Sequence, residues 1–550
     1  MRLLKFTIAL HLILIPSLSH SLPAAGKNLL ISGPHPEAVE AGLTIADQGG
    51  NVVDVAVAVA LALTVTGPNY SSLGGGGFAL VRMGKDTQVL DFRETAPKAT
   101  NPKTYLAPNT SSIDGGLAVA TPGIPAGLAA LHEKHGKLPW KSLFGPALKL
   151  SRDGFRVTRK WVDVVGNERK RFNDKAKKVF LNQGQDYVPS EIQKQPDLAK
   201  ALLIYRSEKA KGFYSGEIAK DVVETVRKNG GVLSLEDMAS YKVRWLAPIE
   251  TEFRGYKLYL MPPPSSGGVV LKTALALTEQ VKPFEKSALG IDESHLLAEI
   301  LKLSFRYRSV LGDPDFHKNP LEKIFASSNI TELAKAINPA KATSLEPLPE
   351  EIPQTPESNQ TTHFSVISKD GDAVAMTVTL NGNFGSGLAS DRYGITLNNE
   401  MDDFTTKPGT PNMFGLIQGV SNRVESGKRP LSSMSPTLVE KDGKIIMAVG
   451  APGGPRIITA VYHTLYRTLA SGWDIDAAVQ APRVHHQFRP NSILVDENRF
   501  APEVIEGLRK KGHEVKPGWQ GLAYGVMWDP QKKRLEGAFD ARGEGAVGGR

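Results

Sequence analysis

Thr361-Thr362-His363-Phe364-Ser365-Val366-Ile367-Ser368-Lys369-Asp370-Gly371-Asp372-Ala373-Val374-Ala375-Met376-Thr377-Val378-Thr379-Leu380-Asn381 holds two runs of alternating side chains joined by Asp370-Gly371. Period-two alternation suits a strand, and Asp-Gly between two such runs signals a hairpin. Centring the turn on that dipeptide pairs Thr361 with Leu380 and sets Thr379 and Asn381 on either side, with room for a slip of one or two residues. A second hairpin is predicted around Asp442-Gly443, with strands over residues 437–440 and 445–449. Its register carries Gly453 opposite Ser432 and beside Ser433, just before Gly454-Pro455 and an apolar helix. Hydroxyls and backbone N–H groups are therefore expected together at neighbouring strand ends.

A threonine hydroxyl is a weak nucleophile and needs a base. The sequence shows no G-x-S-x-G elbow and no Ser-His-Asp ordering. One remaining solution is the nucleophile's own α-amine, freed when the chain is cut just before it. Such an amine titrates near ~7.7–8.0, so it can accept a proton at neutral pH. Thr361 stands where this device requires, at the start of a strand and after residues 340–360. That stretch is rich in Pro, Glu and Gln and reads as an exposed connector. On the residues alone, a threonine-rich surface hairpin is the competing reading.

Outward from this hairpin the chain is an ordinary globular one. Hydrophobic residues are 41% and charged residues 22% of its 550, enough for a sizeable core. By length alone about three or four domains are expected, and the sharpest change of texture falls near residue 360. There is no cysteine, which excludes disulfides, thiolate metal sites and Cys nucleophiles. His363, His463, His485 and His486 lack metal-ligand spacing, so neither metal nor cofactor is expected. The net charge is +9, and residues 151–180 hold ten Lys/Arg against four Asp/Glu. With no nucleic-acid motif beside it, this stretch reads as a solvated helix face.

Residues 27–130 read as α/β, with a strand at Leu29–Gly33, a helix from Pro36, and a buried helix over residues 52–65. Gly74-Gly75-Gly76-Gly77 then opens a strand over residues 78–82. Without a following Lys and Ser/Thr it reads as close backbone packing, not as a phosphate loop. Residues 131–350 are mostly helical in pattern, with strands near residues 245–260. Arg2 and Lys5, an apolar run to Ile15, Pro16 and small residues thereafter have the form of a secretory signal peptide, residues 1–21. That run is too short for a membrane span. Export to a periplasm is expected, with release to the medium as the other outcome.

The Thr361 segment resembles the start of the small subunit of the γ-glutamyltranspeptidase family of N-terminal nucleophile hydrolases. Further stretches resemble the family in order: Asn398-Asn399-Glu400-Met401-Asp402-Asp403-Phe404, Arg429-Pro430-Leu431-Ser432-Ser433-Met434-Ser435-Pro436 and Pro452-Gly453-Gly454-Pro455-Arg456. Before residue 360 the likeness continues at Gly74–Gly77, Asp91-Phe92-Arg93-Glu94, Thr121-Pro122-Gly123, Pro262-Pro263-Pro264-Ser265-Ser266-Gly267-Gly268 and Leu311-Gly312-Asp313-Pro314-Asp315-Phe316. It runs from about residue 27 to the C-terminus.

The resemblance implies an α+β fold, a four-layer αββα sandwich built from two chains of one self-cleaved precursor. Cleavage between Gln360 and Thr361 would give a large subunit (22–360) and a small one (361–550) that stay together as a heterodimer. Thr361 would attack the γ-carbonyl of a γ-glutamyl donor such as glutathione, and water or an amino acid or dipeptide would accept the acyl group. Thr379 would orient Thr361, and the Gly453 and Gly454 N–H groups would hold the oxyanion. Arg93, Ser432 and Ser433 would bind the substrate carboxylate, while Asn381, Glu400 and Asp403 would bind its ammonium.

Two features depart from the family pattern. Glu400 stands where other members use Gln. Phe414 stands where some use Tyr, so a lid over residues 405–419 would lose a hydrogen bond to Asn381. An acylase for glutaryl or cephalosporin-type amides is the alternative enzyme, and an uncleaved, inactive secreted binding protein is the alternative of another class.

Overall fold

The computed structural model describes residues 24–344, 361–407, 409–496 and 498–550. Residues 1–21, expected as a signal peptide, much of the connector, and Gln360 lie outside the described residues.

Two seven-stranded sheets organise the chain. The first runs Ala546–Gly549, Leu29–Gly33, Thr362–Ser368, Ala373–Thr379, Gly76–Met83, Asp86–Phe92, Arg244–Leu246. The second runs Ala24–Gly26, Arg534–Phe539, Tyr524–Asp529, Lys444–Gly450, Thr437–Lys441, Tyr256–Leu260, Ile249–Phe253. Each sheet takes strands from both sides of residue 360. That position is a boundary in composition but not in space.

Alternation along the strands sorts side chains into two cores. Ile31, Val81, Val366, Val374 and Met376 join one cluster with the helices Pro36–Asp47 and Val52–Thr66. Leu30, Leu80, Ile367 and Ala375 join another with Leu438, Met447 and Val449 of the second sheet. The helices Gly267–Val281, Ile291–Phe305 and Arg456–Leu465 supply the rest of that second cluster.

Every residue of the helix Val52–Thr66 is buried, as its Ala/Val run predicts. Its one charge has a local purpose: Asp54 closes a capping box with Asn51 and accepts the N–H groups of Lys137 and Leu138. The tetraglycine is also a packing device. A Cβ on Gly75 would lie 2.1 Å from the Thr379 carbonyl oxygen, and one on Gly76 would lie 2.4 Å from Glu94 Oε2. Only glycine lets this strand approach the Thr379 strand and make room for a buried carboxyl. No helix among the described residues is long and apolar enough to cross a membrane.

Both hairpins form, and both differ in register from expectation. Thr362 pairs with Val378 and Ile367 with Ala373. The loop has three residues, 369–371, ending on Gly371 at φ 93°, the residue such a loop places in the left-handed region. Continued by one step, the ladder sets Thr361 opposite Thr379 and not Leu380. Around Asp442-Gly443 the loop is the expected two residues, both at positive φ. A bulge between Val439 and Glu440 then shifts the pairing by one. Extrapolated, it puts Ser433 and not Ser432 across from Gly453.

Candidate active site

Thr361 begins the central hairpin of the first sheet and is 6% exposed. Its Oγ1 is 3.0 Å from Thr379 Oγ1, which also accepts the Asn381 N–H at 2.8 Å. The Thr379 hydroxyl is thus fixed on one side by backbone and meets Thr361 on the other. Thr361 itself sits at φ 106°. For a β-branched residue that is strained backbone, worth about 1–3 kcal/mol, of the kind that accumulates at functional sites.

A cavity of about 290 Å³ opens on this pair. Arg93, Asn381, Glu400, Asp403, Ser432, Ser433 and Gly454 line it beside Thr361 and Thr379. Of the residues predicted for the mature site, Gly453 alone is missing from the lining. A Cβ on it would meet the Trp519 ring at 2.7 Å. Gly453 and Gly454 have φ 125° and 54°, and neither N–H donates a hydrogen bond among the described residues.

Arg93 directly follows the strand Asp86–Phe92 and is fully enclosed. Its Nη1 is 2.5 Å from Glu400 Oε1 and 3.7 Å from Glu94 Oε2, and its Nη2 is 2.5 Å from Asp403 Oδ2. The cation expected for a substrate carboxylate and the carboxylates expected for an ammonium are therefore paired with one another. Burial works against the Arg93 charge, but Glu400, Asp403 and Glu94 hold it protonated. Burial pushes the Glu94 carboxyl up to about 7, against the pull of Arg93, and raises Glu400 well above the usual range, with Glu94 and Asp403 adding repulsion.

The two adjacent aspartates have separate tasks. Asp402 accepts the Ser112 hydroxyl at 2.7 Å and the Met413 N–H at 3.0 Å, and burial raises it to about 6. Asp403 faces Arg93 and accepts Asn412 Nδ2 at 3.2 Å. Gln418 Nε2 donates to the Asp403 carbonyl at 2.7 Å. The loop around Asn412–Gln418 is thus pinned over the cavity without a Tyr at position 414. Asn381 Nδ2 meets the Asn399 carbonyl at 3.1 Å and Met413 Sδ at 3.7 Å, while the Phe414 ring sits against Gly454.

Ser432 and Ser433 are held by the Pro-rich break before the helix Gly267–Val281. Ser432 N donates to the Pro264 carbonyl, and Ser266 N and Oγ both donate to the Ser432 carbonyl at 2.8 Å. Three residues escaped the sequence reading or were quoted without a role. Glu94 was quoted only as a neighbour of Arg93. Arg308 lines the cavity, donating to Gln418 Oε1 at 2.8 Å and to Ser433 Oγ at 3.4 Å; burial lowers it to about 10, opposed by Asp403. Arg244 bonds Asp91 at 2.6 Å and Asp313 at 2.8 Å, and Asp313 in turn accepts the Arg429 N–H. One guanidinium so ties together three motifs far apart in sequence. No spacing rule singles out either arginine.

His363 is neutral and structural. Its ring nitrogens meet Thr377 Oγ1 at 2.8 Å and Ser365 Oγ at 2.9 Å, and burial lowers it to about 3. Among the described residues no group of three or more His, Asp or Glu is arranged to hold a metal.

The model of the family described as Gamma-glutamyltranspeptidase matches residues 38–549. A glutathione hydrolase proenzyme of Escherichia coli (strain K12) is 39% identical over 532 residues, covering 94% of this chain and 91% of its own. One from Pseudomonas aeruginosa is 37% identical over 552 residues, 98% of each. The crystal structure of a cephalosporin acylase from Bacillus halodurans superposes with a TM-score of 0.86 at 25% identity, covering 99% of both chains. That of Helicobacter pylori gamma-glutamyltranspeptidase gives 0.55 at 34% identity, covering 56% of this chain and 91% of its own. With the match extending over nearly all of its length, this chain belongs to the gamma-glutamyltranspeptidase family.

Proposed function

We propose that this chain is the precursor of a glutathione hydrolase and γ-glutamyltransferase. The observation that carries the reading is the meeting, at one cavity, of Thr361 and Thr379 with Arg93, Asn381, Glu400, Asp403 and the two serines. In the precursor Thr361 Oγ attacks the Gln360 carbonyl. The peptide C–N bond breaks as an ester forms on Oγ, and water hydrolyses that ester, leaving Thr361 as a free amino terminus. The strained φ of Thr361 supports a bond poised for this step.

After the cut the α-amine is the base. No histidine or lysine lines this cavity among the described residues, and its carboxylates, Glu400 and Asp403, are engaged by Arg93. Thr361 Oγ attacks the γ-carbonyl and passes its proton to the amine. The Gly454 N–H, with that of Gly453, stabilises the oxyanion. Losing one such donor typically costs ~2.7–4 kcal/mol of barrier. The amine then protonates the leaving group, and water or an acceptor amine cleaves the γ-glutamyl ester. The donor's α-carboxylate and α-ammonium insert into the existing ion pairs: carboxylate to Arg93 and the serines, ammonium to Glu400, Asp403 and Asn381. A zwitterion adds no net charge to this buried site, whereas a lone anion would leave the carboxylates uncompensated.

The mature enzyme is read as a heterodimer of 22–360 and 361–550 in a four-layer αββα fold, exported after loss of residues 1–21. The H. pylori relative supports the two-chain form, since nearly all of that chain corresponds to about half of this one. The likeness to a cephalosporin acylase favours a second reading, an acylase for glutaryl-type amides. Terminal sequencing of the smaller chain should begin at Thr361, and a γ-glutamyl anilide should be cleaved. A single band at the 59.4 kDa precursor mass in active material would sink the first claim. Cleavage of only a glutaryl anilide would transfer the second to the acylase.

A further inference from the structure

The Arg93 cavity holds a second guanidinium that the donor chemistry above does not use. Arg308 lies in the short turn that ends the helix Ile291–Phe305, just ahead of Leu311-Gly312-Asp313. It lines the cavity and is 4% exposed. Arg93 directs its fork at Glu400, Asp403 and Glu94. Arg308 makes no ion pair among the described residues: its contacts are Gln418 Oε1 and Ser433 Oγ, and Asp403 acts on it only through space. Burial lowers it to about 10, so it stays protonated at neutral pH. An enclosed cation without a contact partner is stabilised by an anion brought near it.

What Arg308 touches decides how the neighbouring hydroxyls can act. Its Nε donates to Ser433 Oγ at 3.4 Å, and the Met434 N–H donates to Ser432 Oγ at 3.1 Å. Each serine oxygen thus accepts from a fixed donor, and neither hydroxyl gives its own proton to any group among the described residues. Both protons are available to a ligand in the cavity that the two serines line. A carboxylate, which only accepts, satisfies both. A carboxamide must turn its NH₂ toward one of these donors or toward the guanidinium. Arg308 is itself held in place. Gln418 Oε1 accepts its Nη1 and also Asn422 Nδ2, each at 2.8 Å, while Gln418 Nε2 and Asn422 Nδ2 both donate to the Asp403 carbonyl at 2.7 Å. Because the Gln418 amide gives its N–H to Asp403, its oxygen faces Arg308.

We infer that Arg308 is a positioning residue of the donor site: by donating to Ser433 Oγ it commits that hydroxyl, together with Ser432, to an acceptor-only group, and so adds to the selection of a free α-carboxylate. The inference rests on the γ-glutamyl reading above. The nearby cation also polarises the Ser433 O–H and strengthens it as a donor. Arg93 and Arg308 then have separate tasks. Arg93 exchanges ion pairs with the incoming zwitterion, and Arg308 sets the direction of the hydroxyl beside it. Gln418 joins this arrangement to the loop over the cavity, so the hydroxyl is oriented only while that loop is in place.

The test uses two ligands that differ only at the α-carboxyl, L-glutamate and its α-amide isoglutamine, in calorimetric titration of the mature enzyme. The unaltered enzyme should bind glutamate about 100-fold more tightly, the scale of two charge-assisted hydrogen bonds. In Arg308→Met that preference should fall about ten-fold. Ser433→Ala should lose a similar share, and adding Arg308→Met to it should change the preference by less than about two-fold, as expected of two residues acting as one. Arg308→Lys keeps the charge without the fork and should lose about three-fold, again with no further loss in the Ser433→Ala background; it decides the matter if Arg308→Met does not mature. With a γ-glutamyl anilide as donor, the loss in either variant should fall on KM more than on kcat. Equal weakening of both ligands would make Arg308 a purely structural residue and overturn the inference. So would losses that add in full to that of Ser433→Ala. If the γ-glutamyl anilide is not turned over but the preference for glutamate still depends on Arg308, the assignment stands and the hydrolase and transferase reading falls.

Discussion

The two spaces that share Thr361 are built on opposite principles. The Arg93 cavity is small and crowded with charge: one guanidinium faces Glu94, Glu400 and Asp403, with Arg308 beside Ser433. A second space, of about 620 Å³ against about 290 Å³, borders Thr361 and is walled by Tyr70, Phe155, Trp161 and Tyr524, with Lys160 in its lining. The first can accept only a ligand that replaces its ion pairs like for like. The first space is defined by ion pairs and the second by rings, so substitutions on the two sides should differ in kind.

The largest test of the division is the residue common to both sides. Thr361→Ala should leave one uncut chain on a denaturing gel and remove turnover of a γ-glutamyl anilide by at least about 10⁴-fold. Next is the donor side alone. Arg93→Lys keeps a charge but not the fork, and should lower donor kcat/KM by about 100-fold with little effect on acceptor KM. Arg93→Met leaves three buried carboxyls without their cation and should destabilise the fold by about 3–5 kcal/mol, read by chemical denaturation. Thr379→Val keeps the shape and deletes the contact to Thr361, so kcat should fall about 10–100-fold while donor KM holds.

A subtler test uses pH. Burial raises both Glu94 and Glu400, so the pair keeps a proton well above the usual carboxylate range. As pH rises through about 7 the proton leaves, a negative charge is added beside Arg93, and donor KM should climb. Glu400→Gln keeps a neutral hydrogen-bonding partner for Glu94 and removes the second carboxyl, so one proton fewer can leave and the climb should be smaller. The smallest effect is expected from Phe414→Tyr. Asn412, Met413 and Gln418 already fasten the loop, so KM should shift by less than about three-fold.

The same contrast explains what could be read before folding. The Arg93 cavity was legible because its residues come in short runs, Asp91–Glu94, Asn398–Asp403 and Arg429–Ser433, each a local turn that presents neighbours together. The aromatic cleft was not, because Tyr70, Phe155, Trp161 and Tyr524 each sit in an ordinary apolar pattern, and only tertiary packing makes a wall of them. The hairpin around Asp370-Gly371 was legible in kind but not in register. A loop of three residues instead of two moves every cross-strand pair by one, and that single step sets Thr379 across from Thr361. Arg244 and Arg308 carry no local signal at all, since their meaning lies in Asp91, Asp313, Gln418 and Ser433, partners that meet them only after folding.

The braiding of both sheets from segments on either side of residue 360 has a further consequence. If the backbone is severed there, as proposed, neither piece retains a complete sheet, so each should be insoluble or unstructured if produced alone. Reassembly after denaturation becomes a second-order reaction that dilution defeats. The mature protein would then owe its lifetime to the height of its unfolding barrier, and scission would be a ratchet that the chain passes through only once.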